Sequence, residues 1–245
     1  KAIGVNFIDI YVRTGLYPNS GLPSGIGFEG AGVILDVGPK VKRFSVGDRV
    51  AYCHGDLGAY AQQRIIHEQW LIKLPPSISN KTAAAVMLKG MTAQYLIKQT
   101  CKIKAGDHVL FHAASGGVGL IACQWMRAIG ANVIGTVGSQ HKVSMAKKNG
   151  CKWVINLEKE NFVSQVKEIT NGKGVRVVYD GIGKSTFMNS LDCLRPRGLM
   201  VSFGNASGPP PKISPLVLAA KGSLFLTRPT LAHFVSPRNI FEKNA

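Results

Sequence analysis

The sequence predicts an α/β protein: a β-rich first part followed by a doubly wound parallel sheet. Three observations carry this. Short apolar runs separated by Gly, Pro and Asp turns crowd the first 86 residues. From about residue 88 strands and helices alternate, which implies parallel strands with helices on both faces. At the head of that alternation, Ala114-Ser115-Gly116-Gly117-Val118-Gly119 turns an apolar strand into an apolar helix.

The first part offers Ala31–Val37 and Arg49–Tyr52 as strands, with Val46-Gly47-Asp48 and Leu74-Pro75-Pro76 as turns. Such close spacing suggests a barrel-like unit. Ser79 or Asn80 then caps an apolar helix over 82–88, and the domains are expected to divide into 1–87 and 88–245. The second part reads as strands over 108–114, 132–137, 153–155, 175–179 and 199–203. Helices are expected over 117–129, 139–148 and 185–194, with Gly150 closing the second. Phe162, Val163, Val166 and Ile169 share one helical face.

A strand turning on small residues into a helix presents backbone N–H groups at the positive end of the helix dipole. That arrangement receives a pyrophosphate. The pattern is A-x-G-x-x-G, a dinucleotide fingerprint with Ala in the first Gly position. In such Rossmann units the second strand normally ends in an acid that binds the ribose 2′-hydroxyl. Here 132–137 runs into Gly138-Ser139-Gln140-His141-Lys142, with no carboxylate. A hydroxyl and a cation at Ser139 and Lys142 suit a 2′-phosphate, so NADP(H) is favoured over NAD(H). The plainer alternative makes Ser139 a helix cap and Lys142 a solvated side chain.

Composition bounds the function. Of 245 residues, 45% are hydrophobic and 18% charged, and no apolar run reaches transmembrane length. The five cysteines are odd in number and dispersed, which argues against a disulfide framework and a C-x-x-C metal site. A reducing, cytoplasmic setting is expected. Cys53-His54 is an isolated pair, so no metal is expected. The net charge is +17, and residues 76–245 hold 22 Lys and Arg against seven Asp and Glu. Such an excess attracts phosphorylated ligands or nucleic acid. Lys1–Val5 reads as the middle of a strand and 241–245 lacks a helix stop, so both ends are expected to be missing.

Residues 6–13, Asn-Phe-Ile-Asp-Ile-Tyr-Val-Arg, concentrate polar groups. If extended, they put Asp9, Tyr11 and Arg13 on one face; if helical, they group Asn6, Asp9 and Arg13 and bring Phe7 near Tyr11. The stretch is either a turn holding an Asp–Arg pair or a polar wall that orients a carbonyl.

The set of motifs resembles the zinc-independent quinone oxidoreductases, the zeta-crystallin type of medium-chain reductases. It comprises residues 2–18, Gly27-Phe28-Glu29-Gly30-Ala31-Gly32, Val46–Val50, Gly58–Ala61, Lys89–Ala93, His112–Gly119, Val178–Asp180, Gly198–Asn205 and Thr227-Arg228-Pro229. The resemblance implies a GroES-like first domain and a Rossmann second domain. It implies reduction of a quinone or α,β-unsaturated carbonyl by NADPH, and a homodimer joined near Ser223–Leu226. It assigns catalysis to Asn6 and Tyr11; a phenol keeps its proton at neutral pH and can donate to an oxyanion. Cofactor contacts are expected at Phe7, Asp9, Tyr95, Gly116, Gly117, Val118, Gly138, Ser139, Lys142, Phe203, Gly204, Asn205, Thr227 and Arg228. Phe28 stands where zinc relatives carry a histidine, and Leu157 where relatives often place a tyrosine beside adenosine. A second reading makes the same scaffold a nucleic-acid-binding protein, although its basic residues are not interleaved with aromatics.

Overall fold

The computed structural model describes residues 1–18, 21–235 and 242. The expected missing helix stop at 241–245 lies, apart from Glu242, outside them. The chain forms two compact units: Lys1–Met91 with Phe234–Ala245, and Thr92–His233.

The first unit holds a four-stranded antiparallel sheet in the order β1-β2-β3-β4: Ala2–Gly4, Glu29–Val33, Arg49–Tyr52 and Ile72–Lys73. Between β1 and β2 lies helix α1, Phe7–Arg13, so the helical alternative for this stretch is the one adopted. Strand β2 is shorter than expected and ends at Val33. The chain then leaves the ladder, although Ile34 still exchanges bonds with Asp48 and Gly47 across the turn. The apolar core is small: Phe44, Val50, Tyr52, Ala59 and Leu71 on one side, Ala31, Ala51, Ala83 and Ala84 on the other. The last two belong to helix α2, Asn80–Tyr95, which runs a full two turns beyond the expected apolar segment. Ser79 caps it, its Oγ accepting from the Thr82 N–H at 3.0 Å.

The second unit is a six-stranded, wholly parallel sheet. Its strands are β5 (His108–Phe111), β6 (Asn132–Val137), β7 (Trp153–Asn156), β8 (Val175–Asp180), β9 (Leu194–Ser202) and β10 (Phe225–Thr227), in the order β10-β9-β8-β5-β6-β7. The chain lays β5, β6 and β7 outward in one direction, then returns beside β5 and builds β8, β9 and β10 in the other. The order therefore reverses between β5 and β8, where doubly wound sheets bind ligands beyond the strand C-termini.

Helices α3 (Gly117–Ile129), α4 (Val143–Lys148), α5 (Phe162–Ile169), α6 (Phe187–Asp192), α7 (Pro215–Ala220) and α8 (Ala232–Val235) complete the chain. Strand residues such as Leu110, Val133, Ile134, Val178 and Met200 are fully buried, as strands covered on both faces must be. Helix α3 ends on Gly130 at φ 91°, and α5 is capped by Asn161 Oδ1. The helix expected over 139–148 opens as a short 3₁₀ turn, Gln140–Lys142, before α4. Helix α6 is shorter than the expected 185–194, because the chain enters β9 at Leu194 with a register shift against β8.

Candidate active-site residues

The first unit concentrates polar groups at the start of α1. Asn6 has extended dihedrals, φ −137° and ψ 154°, and opens the helix. Its backbone N–H donates to Asp9 Oδ2 at 2.9 Å, which satisfies one orphan donor of the helix start. The Asn6 side-chain amide turns the other way and donates to Glu29 Oε2 at 2.7 Å. Glu29 is wholly buried in β2. It also accepts from the Leu88 N–H at 2.7 Å and from Lys89 Nζ at 3.1 Å. A buried carboxylate is tolerated only when it is paired and bonded in this way. Because Glu29 can only accept, Asn6 must direct its nitrogen toward it, which leaves the Asn6 carbonyl oxygen facing elsewhere. Gly4 is required beside this group: a Cβ there would lie 1.9 Å from Glu29 Oε2 and 2.5 Å from the Ala84 carbonyl oxygen.

The Asp9–Arg13 pair, one of the two alternatives for this stretch, does not form among the described residues. Asp9 is buried while Arg13 is exposed, and the partner of Asp9 is Tyr60, whose hydroxyl donates to Oδ2 at 2.9 Å. Desolvation, together with the bond to and charge of Asp9, pushes the Tyr60 phenol up to about 12. The second oxygen, Asp9 Oδ1, is buried with no partner. Phe7 and Tyr11 approach as the helical spacing requires, with ring centroids 6.2 Å apart; Tyr11 is buried and packs on Tyr17 at 5.1 Å. Glu29, Lys89 and Tyr60 carried no role in the sequence reading. The available signal was a carboxylate inside an otherwise apolar strand.

In the second unit the parallel topology sends the C-terminal ends of all six strands to one edge. After β5 the turn is built on Ala113 at φ 53°, with the Gly116 N–H donating to the Ala113 carbonyl at 2.8 Å. Gly119 has no space for a side chain, since a Cβ would lie 2.5 Å from the Ala113 carbonyl oxygen and 2.7 Å from that of Ala114. Ala114 is buried and takes the first small-residue place. Gly135 of β6 makes room for it, because a Cβ at 135 would come within 2.7 Å of the Ala114 methyl. Gly116, Gly117 and Val118 remain accessible at the start of α3, where first-turn N–H groups lack intrahelical acceptors.

Beneath this turn lies a buried network. His112 Nδ1 meets Thr136 Oγ1 and Nε2 meets Ser190 Oγ, both at 2.9 Å; Ser190 and Thr186 donate to Asp180 Oδ2, and Asp180 Oδ1 accepts from two backbone N–H groups. Burial lowers the His112 pKa, and the Asp180 charge only partly opposes it. The network braces the turn from inside the sheet.

After β6 the chain exposes Gly138, where a Cβ would touch nothing within 4 Å. Ser139 follows in an extended conformation. Its hydroxyl is buried without a partner and makes no cap bond, so the helix-cap alternative for this side chain fails. Lys142 is exposed one 3₁₀ turn later and has no acidic partner among the described residues. Leu157 packs on the sheet core. At the end of β9, Ser202 Oγ is also buried and unpartnered. Phe203 lies over Gly181 and 5.8 Å from Phe111, and Gly204 approaches Gly181 so closely that a Cβ would meet its carbonyl at 2.5 Å. Asn205 is buried beside it. Thr227 closes β10 and Arg228 follows, exposed. Tyr95 ends α2 and is buried. The turns bearing residues 116–118, 138–142, 203–205 and 227–228 thus follow four strand ends on one edge of the sheet.

Residues 1–76 match the family model of the alcohol dehydrogenase GroES-like domain, and residues 117–241 that of the zinc-binding dehydrogenases. Quinone oxidoreductase of Pseudomonas aeruginosa is 54% identical over 234 residues, covering 96% of this chain and 72% of the relative. The chain belongs to the quinone oxidoreductase family. A 2-haloacrylate reductase from Burkholderia is 49% identical over 251 residues and is matched over 75% of its length. Among solved structures, Escherichia coli quinone oxidoreductase complexed with NADPH superposes with a TM-score of 0.98 at 51% identity, covering 100% of this chain and 75% of that one. The family confirms the expected GroES-like and Rossmann folds. Although one matching model is named for zinc, the described residues contain no group of three or more His, Cys, Asp or Glu placed to hold a metal.

Proposed function

We propose that this quinone oxidoreductase family member is an NADPH-dependent, metal-independent reductase of quinones or α,β-unsaturated carbonyls. The observation that carries the cofactor choice is at the end of β6. A buried, unpartnered Ser139 hydroxyl and an unpaired Lys142 stand where an NAD-specific unit would place a carboxylate. The hydroxyl and ammonium would hold the 2′-phosphate, and the N–H groups of Gly117 and Val118, at the turn that Gly116 opens, the pyrophosphate. Gly138 leaves open space for the adenosine side. Phe203, Gly204, Asn205, Thr227, Arg228 and Tyr95 are the remaining contacts proposed in the second unit, with Phe7 and Asp9 in the first; the unpartnered Asp9 Oδ1 supports the last of these.

When bound, NADPH supplies a hydride to the electrophilic carbon of the substrate. The protein aligns and polarises. Asn6, its nitrogen held by Glu29, offers its carbonyl oxygen to a ribose hydroxyl. Tyr11 donates to the oxygen on which charge develops. The NADPH complex of the Escherichia coli relative and the naming of relatives for quinone and 2-haloacrylate reduction support this reading. The nucleic-acid alternative gains nothing from the comparisons.

The edge position of β10, with Phe225 and Leu226 exposed, supports a homodimer. Five buried free cysteines support a reducing, cytoplasmic setting. No helix among the described residues is long and apolar enough to cross a membrane.

NADPH oxidation followed at its absorbance with a small benzoquinone is the test. Turnover that requires the quinone is expected, and its absence with every quinone and enone tried contradicts the reading. Turnover in Tyr11→Phe equal to the parent removes Tyr11 from the mechanism.

A further inference from the structure

The excess positive charge of residues 76–245 is only slightly used by the proposed cofactor site. Part of it gathers at the opposite, N-terminal edge of the parallel sheet. There a cavity of ≈ 330 Å³ opens between the starts of β5 and β8, the loop after α5 and the first residues of β9. Its volume lies in the range of small-molecule sites. Asp107, His108, Lys173, Arg176 and Arg195 line it.

The charges in this cavity do not cancel. Asp107 is the single acid in its lining, and it is taken by the Arg176 guanidinium and by the Lys104 N–H at 2.8 Å. That bond anchors Arg176, which is only 27% exposed, and leaves its other N–H groups available. Lys173 and Arg195 have no acidic partner among the described residues. Arg176, Arg195 and Lys173 all line the same cavity. His108 of the lining stacks on Trp153 outside it, with centroids 6.1 Å apart and planes 23° apart, and Lys152 Nζ sits 4.6 Å over the indole. Two unpaired cations, one anchored guanidinium and a neighbouring aromatic pair fit a phosphoryl group with a planar ring behind it.

We propose that this cavity is a second anion site, which takes the phosphoryl end of a small phosphorylated molecule. It lies within the second unit, at the far ends of the strands that bear the cofactor turns, and does not depend on the catalytic reading.

The test is calorimetry at low salt with NADP⁺ saturating, using inorganic pyrophosphate and, separately, adenosine monophosphate. Submillimolar binding is expected for at least one. It should weaken about tenfold in Arg195→Ala and in Lys173→Ala, exposed positions whose folding is checked by thermal melting. In Lys142→Ala it should stay within twofold of the parent. Binding of pyrophosphate alone identifies a free phosphate source; tighter binding of the nucleotide identifies a nucleotide. The proposal is overturned if neither binds, if binding ignores both substitutions, or if only a single-stranded oligonucleotide binds in an Arg195-dependent way.

Discussion

Glu29 in the first unit and the Ser139 hydroxyl in the second are both buried polar groups at proposed ligand sites, and they are opposites. Glu29 has three protein donors: an amide, a backbone N–H and an ammonium. Ser139 Oγ has none. A buried group that is fully bonded holds its neighbours in place. A buried group left unbonded costs stability until something outside the chain supplies the bond. The first arrangement is built before the ligand arrives; the second is finished by it.

This contrast sets the expected effects of substitution. Glu29→Ala strands the Lys89 ammonium, 19% exposed, and frees the Asn6 amide. We expect a loss of about 3–5 kcal/mol in stability by denaturant unfolding. A loss below about 1 kcal/mol would show that the pair does not anchor the first unit. Gly119→Ala drives a methyl into two backbone carbonyls. It should cost about 1–3 kcal/mol and at least tenfold in NADPH affinity, read by melting and by cofactor fluorescence.

The brace beneath the same turn has a pH signature. His112 has a folded pKa below its ordinary value, so its contribution is present above about pH 6.5 and is lost as pH falls through the folded value, the unfolded chain taking up a proton first. Unfolding free energy should fall by up to about 1.4 kcal/mol per pH unit below about pH 6.5. A variant with His112→Gln should show a flatter profile; an unchanged slope would remove His112 from the acid limb.

Ser139→Ala sharpens the contrast from the other side. Stability should move by less than about 0.5 kcal/mol, because no protein bond is lost, while NADPH binding weakens by about 1 kcal/mol. Tyr60→Phe, at a position 38% exposed, should cost only about 0.5 kcal/mol in melting experiments.

The second unit was the more legible in sequence. Its strands are buried on both faces and read as apolar runs, and Gly116 and Gly119 mark the turn because backbone crowding forbids a side chain at 119. Element ends were less visible. Helix α2 gained length at its C-terminal end, where Met91, Ala93 and Tyr95 are buried, and α6 lost it to the register shift at β9. The polar cluster at α1 was legible as a set of residues but not as a geometry. Asp9 chose Tyr60, 51 positions away, over Arg13, four positions away, and sequence spacing cannot reveal such a partner. The role of Glu29 was hidden for the same reason, since Asn6 and Lys89 reach it from distant parts of the chain.

The most direct test of the central claim is calorimetry of NADPH and NADH on the parent protein and on Lys142→Ala. Recognition of the 2′-phosphate by Ser139 and Lys142 predicts that NADPH binds more tightly to the parent. It also predicts that the substitution costs NADPH about 1.5–3 kcal/mol and leaves NADH unchanged. Equal losses for both cofactors, or no preference in the parent, would contradict it.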